Sequence, residues 1–237
     1  MNPSKPLYFR RRFPAEIISH CVWLYFRFSL SYRDIEEMMA KRGVIVSYET
    51  IRNWSQKFGG IYAKRLRSRS KRSNDHWHLD EVYLSINGKA HYLWRAVDQD
   101  GEVLDILVQP RRNKRAAMKF FRKLLKNLQY IPRVIITDKL RSYAAAKAEI
   151  MPEVKHIQGK GANNRAENSH QPTRERERRM RGFKSAGHAQ RFLASYSVIA
   201  SFFRPSRHLL AAKNYREIMR RRFIEWSEVV NSDFTFQ

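Results

Sequence analysis

A single cysteine, Cys21, stands in 237 residues. No internal disulfide can form, which fits a reducing cytoplasm. Cysteine pairs are likewise missing as zinc ligands, and His76 and His78 have no partners at ligand spacing, so a zinc centre is not expected. Long apolar runs are absent too. The longest near the N-terminus, Cys21 to Phe26, stops at Arg27. That is too short for a spanning helix and unlike a secretory leader. Acidic residues are the third scarcity: 22 Asp and Glu face 47 Lys and Arg, leaving a formal charge of +25. A field of that sign draws polyanions, and an aromatic content of 13% excludes a merely disordered basic tail. Nucleic acid is the expected partner of a cytoplasmic protein; an anionic membrane surface is the alternative, with no spanning segment to support it. Internal repeats and low-complexity segments are also lacking.

What the chain does have falls into two periodicities. From Ala15 to Phe28, apolar residues recur at three- and four-residue steps, the stripe of a helix with one buried face. Ser31 offers an N-cap for a second helix from Tyr32 to Lys41, Gly43 ends it, and Ser47 caps a third from Tyr48 to Phe58. Two short helices joined by a Gly-containing turn match a helix-turn-helix, with Tyr48, Thr50, Arg52, Asn53 and Lys57 as its candidate DNA-reading residues. An ordinary three-helix bundle with a polar face fits the same pattern. Residues 63–74, rich in Lys, Arg and Ser, read as a basic linker. The expected partition is therefore a DNA-binding domain over 1–62, the linker, and a second domain over 75–237 that includes the C-terminal helices.

Beyond the linker the period changes to two. Trp77 to Ile86 and His91 to Val97 flank Asn87-Gly88, a hairpin signal, and Val103 to Val108 adds a third antiparallel strand. A helix over Asn113 to Leu128, a short apolar strand over Arg133 to Thr137, a helix over Leu140 to Ile150, a brief strand at Val154 to Ile157 and a helix over Ala189 to Phe203 follow. This order predicts an α/β fold, a mixed sheet with flanking helices, preceded by the small all-α domain.

Within that sheet, Asp80 interrupts an apolar strand and Asp138 closes another. Carboxylates in such places need compensation. If the first and fourth strands are neighbours, the two acids lie side by side where open sheets place ligands. Oxygen-only ligation selects Mg²⁺ or Mn²⁺, and a third carboxylate would complete a two-ion site for attack at phosphorus. Glu167 is the best third candidate, although Asn164 and Glu167 also have the spacing of a capping pair. Glu175 and Glu177 alternate with arginines and read as surface pairs. Glu81 is expected on the face opposite Asp80 because strand side chains alternate.

The chain resembles the insertion-sequence transposases of the insertion-sequence-six family over nearly its whole length. The resemblance rests on Ser31-Tyr32-Arg33-Asp34-Ile35-Glu36-Glu37-Met38 with Gly43, Thr50-Ile51-Arg52-Asn53-Trp54, His78-Leu79-Asp80-Glu81-Val82-Tyr83, Ile136-Thr137-Asp138-Lys139, Asn163-Asn164-Arg165-Ala166-Glu167-Asn168 and Arg181-Gly182-Phe183-Lys184-Ser185. It implies a ribonuclease-H-like catalytic domain whose Asp-Asp-Glu triad is Asp80, Asp138 and Glu167, although the spacing between the last two is shorter than in many relatives. It also implies metal-dependent cleavage at the ends of a mobile element and strand transfer into target DNA, by a prokaryotic protein acting as a homodimer or larger assembly. Arg111, Arg112, Lys114, Arg115, Arg178 and Lys184 then become candidate backbone-holding residues. A DNA-binding regulator derived from a transposase would need the charge and the first domain but not the acids.

Overall fold

The computed structural model describes residues 7–69, 75–159, 163, 170–205 and 210–231. In chain order these form α1 (Ala15–Arg27), α2 (Tyr32–Ala40), α3 (Tyr48–Arg69), β1 (His76–Ile86), β2 (Lys89–Val97), β3 (Val103–Gln109), α4 (Lys114–Leu128), β4 (Val134–Thr137), α5 (Arg141–Ile150), β5 (Lys155–Gln158), α6 (Gln171–Arg179), α7 (Ala186–Phe202) and α8 (Ala212–Asn231). They group into two compact units, Met1–Ser70 with Val198–Gln237, and Lys71–Ser197.

In the first unit, α1 buries Ile18, Cys21, Val22 and Leu24. α2 opens with a reciprocal cap: the Asp34 N–H donates to Ser31 Oγ at 3.1 Å, and the Ser31 N–H to Asp34 Oδ2 at 2.7 Å. Gly43, at φ +76°, turns the chain toward α3. That helix does not stop at Phe58. Tyr62, Ala63, Arg65 and Leu66 extend its buried stripe, so residues 63–69 of the expected linker are helix and only 70–74 lie outside the described residues. Arg65 is buried because its guanidinium donates to the Val229 carbonyl of α8 at 2.7 Å. Trp226, Val229 and Val230 are the buried residues of α8, and this C-terminal helix belongs with the N-terminal helices instead of the sheet unit expected to hold it.

The second unit is built on a five-stranded sheet in the order β3-β2-β1-β4-β5. β1, β2 and β3 are antiparallel; β4 and β5 run parallel to β1. Asn87 and Gly88 both take positive φ, as a two-residue hairpin turn requires. Asn113 caps α4 by accepting from the Ala116 N–H at 3.1 Å. Ala117, Phe120, Phe121 and Leu124 of α4 and Tyr143 and Ala146 of α5 pack with Trp77, Leu79 and Trp94 in one core. Gln190 of α7 accepts from the Val108 N–H at 2.8 Å, and Arg95 donates to Ser197 Oγ at 2.8 Å, tying α7 to the sheet. This is the mixed sheet with flanking helices that the order of elements predicts.

Candidate active site

The parallel pairing of β1 with β4 sets Leu79 opposite Thr137, and β4 ends there. Asp138 therefore follows directly beside Asp80. Past Leu79 the next described pairing of β1 on that side is the bridge from Ile86 to Phe183, so the acids of β1 can reach one space around the end of β4. Ligand oxygens of Asp80, Glu81 and Asp138 lie within 4.8 Å of one another. The alternation that should have sent Glu81 away from Asp80 holds for the start of a side chain, not for the tip of a three-carbon arm at an open strand end. The placement of Glu81 is thus a correction to the sequence reading. Among the described residues no other acids join the group; Glu175 and Glu177 lie on α6. Glu167, and with it Asn164, lies outside the described residues.

Each carboxylate is held. Asp138 Oδ1 accepts from the Leu140 N–H at 2.9 Å. Arg112 Nε donates to Glu81 Oε1 at 2.5 Å, and a second nitrogen of the same guanidinium lies 3.5 Å from Asp138 Oδ2. Burial, then the nearby Asp138 charge, pushes the Glu81 carboxyl up to about 7, against the lowering effects of Tyr143 and Arg112. Asp80 Oδ2 lies 3.0 Å from His170 Nε2. Burial holds that imidazole below its usual range, and contact with Asp80 opposes the shift. The Glu81 side chain is wholly buried, and among the described residues its Oε2 has no well-formed hydrogen bond, the neighbouring Tyr143 hydroxyl included. A cluster of hard oxygen donors with one uncompensated oxygen and a raised carboxyl fits a divalent ion of the Mg²⁺ or Mn²⁺ kind.

The other predicted residues are spread over both units. Arg52, Asn53 and Lys57 are exposed on α3, as a reading face needs. Tyr48 and Thr50 are engaged at the helix start: the Arg33 guanidinium lies 4.9 Å from the centre of the Tyr48 ring, and Thr50 Oγ1 is 2.9 Å from Ser47 Oγ. Arg111, between β3 and α4, and Lys114 and Arg115, in the first turn of α4, are exposed, with Lys114 paired to Glu149 at 2.9 Å. Arg178 and Lys184 are exposed as well. Arg112 is the exception, turned onto the acid cluster. Sequence reasoning missed His170 and Tyr143. Neither sits in a telling pattern; only the folded register brings them to β1.

A family described as "DDE domain" matches residues 74–206. The transposase for insertion sequence-like element IS431mec of Staphylococcus aureus is 32% identical over 209 residues, covering 86% of this chain and 92% of that protein. The same figures hold for the transposase for insertion sequence element IS257 in transposon Tn4003, also of Staphylococcus aureus. The catalytic core of BIV integrase overlaps at a TM-score of 0.36 and 15% identity, over 64% of this chain and 99% of that one, too slightly to bear on function. Sheet, clustered acids and matched domain define an enzyme of the DDE type. With relatives this similar along nearly their full length, the chain belongs to the insertion-sequence-six family of transposases.

Proposed function

We propose that this transposase binds the terminal inverted repeats of its insertion sequence, cuts the DNA there and joins the freed 3′-hydroxyls to target DNA, on the nucleoid of a prokaryotic cell. The observation that carries the reading is the convergence of the Asp80, Glu81 and Asp138 oxygens at the end of β4. Asp80 and Asp138 would hold the ions, with Glu167 as third ligand. Glu167 stands three residues before His170 in the sequence, and His170 itself touches Asp80. Two Mg²⁺ or Mn²⁺ ions bound there supply an activated nucleophile and neutralise charge at the scissile phosphate.

The chain's own groups position and neutralise. Leu140 fixes Asp138 through its backbone N–H, and Arg112 balances Glu81 while remaining 44% exposed at the mouth of the cluster, where it can receive a phosphate. No covalent nucleophile from the protein is needed. The exposed face of α3 would read the repeats, and Arg111, Lys114, Arg115, Arg178 and Lys184 would hold backbone. Two element ends must be held together, so a homodimer or larger assembly on DNA follows.

The test is Asp80→Ala and Asp138→Ala. Each is expected to lower Mg²⁺-dependent cleavage of repeat-end DNA by at least about 10³-fold, the scale of losing electrostatic stabilisation at the reacting centre, with end binding retained. Unchanged cleavage in both would reject the assignment and leave a DNA-binding regulator.

A further inference from the structure

His170 immediately precedes α6 and is 3% exposed. Its backbone is pinned: the Arg174 N–H donates to the His170 carbonyl at 3.0 Å, and the Tyr196 hydroxyl donates to the next carbonyl but one, that of Pro172, at 2.9 Å. The ring faces Asp80, with Nε2 3.0 Å from Oδ2, and the two side chains are only 4% and 14% exposed. Among the described residues neither ring nitrogen has a well-formed hydrogen bond: Nδ1 meets no partner, and Nε2 lies off the straight N–H···O line to Asp80 despite the short distance. A buried imidazole held this way is costly unless a neighbour compensates it, and Asp80 is the group within reach.

His170 contributes no atom to the group of converging ligand oxygens. It meets Asp80 from outside that group. We propose that His170 is a positioning residue for the active site: it donates from Nε2 to Oδ2 of Asp80 and holds that carboxylate in the orientation that leaves its other oxygen for the shared cation. Sites of this kind commonly align fully only when loaded, so a small ring rotation completes the hydrogen bond. Losing an outer partner of a ligating carboxylate typically weakens metal affinity by ~10- to 100-fold. The inference rests on the metal reading above.

The test has one arm without metal and one with it, both on the full chain. In EDTA, the ¹⁵N resonance of His170 Nε2 is expected to move in Asp80→Asn; an unmoved resonance would overturn the contact itself. Mn²⁺ affinity is then read by electron paramagnetic resonance. His170→Ala and the space-filling His170→Phe are expected to bind ~10- to 100-fold more weakly. His170→Gln, whose amide can donate from nearly the same place, should stay within about threefold of the parent. A Phe variant that binds as well as the parent, or a Gln variant as weak as Ala, overturns the proposal. If Ala and Phe fail to fold, the Gln comparison decides alone. A parent chain that binds no Mn²⁺, or an Asp80→Ala variant that binds it undiminished, brings down the metal reading and this inference with it, while the EDTA arm still shows whether the contact exists.

Discussion

Glu81 is the residue on which the resting site is balanced. Its side chain is fully buried beside Asp138, and Arg112 supplies the neighbouring positive charge from a side chain 44% exposed. Removing one partner of a fully buried pair costs roughly 3–5 kcal/mol. The exposed guanidinium is partly screened, so Arg112→Ala is expected to destabilise the metal-free chain by ~1–3 kcal/mol. Adding Glu81→Gln should recover most of that, because a neutral amide needs no counter-charge. Urea melts in EDTA of the two single variants and the double check this; equal losses for Arg112→Ala with and without Glu81→Gln would show that Arg112 acts on something else. The same residues mark the limit of sequence reading. Asp80 and Asp138 were legible because an acid inside an apolar strand run, or at its end, is conspicuous. Glu81 and Arg112 were not, because where their tips go depends on β4 ending one residue short of Asp80's level.

Among the elements, α1 and α3 approach one another closely at Gly59. A Cβ at Gly59 would sit 2.5 Å from Cε2 of Phe26, a ring that is itself 3% exposed. In an open helix, Gly→Ala gains up to about 1 kcal/mol. Here overpacking of ~1–3 kcal/mol opposes it, so Gly59→Ala is expected to be net destabilising. A thermal melt checks the sign, and Gly59→Ala combined with Phe26→Leu, which withdraws the ring, should soften the loss. A raised melting temperature for Gly59→Ala alone would mean that the helices part without cost. Most elements could be read from periodicity and turn chemistry, the Asn87-Gly88 hairpin and the Ser31 cap most directly. Two could not. The last turns of α3 carry Lys64, Arg65, Arg67 and Arg69, whose charge hid the continuing stripe of Tyr62, Ala63 and Leu66. α6 has almost no apolar residues, and what it buries is Thr173 and Arg176, the latter with its guanidinium 5.6 Å from the Phe192 ring centre.

At the scale of the whole molecule the governing quantity is a formal charge of +25. Phosphate contacts release counterions, so affinity for any duplex should fall steeply with salt. Engaging 6–10 phosphates costs roughly 10³- to 10⁵-fold in affinity between 50 and 200 mM salt. Base contacts behave differently: they set the ratio between repeat and random DNA and contribute little to the slope. Arg52 and Asn53, exposed on α3, are the candidates for that second role. Arg52→Ala and Asn53→Ala are each expected to weaken repeat binding by ~1–3 kcal/mol while changing random-duplex binding much less, whereas Lys114→Ala or Lys184→Ala should weaken both duplexes alike and make the salt slope shallower by about one. Anisotropy titrations of both duplexes over a salt series separate the two. If Arg52→Ala and Asn53→Ala lower both affinities equally, α3 holds backbone, and the reading of the repeats must be sought on another surface.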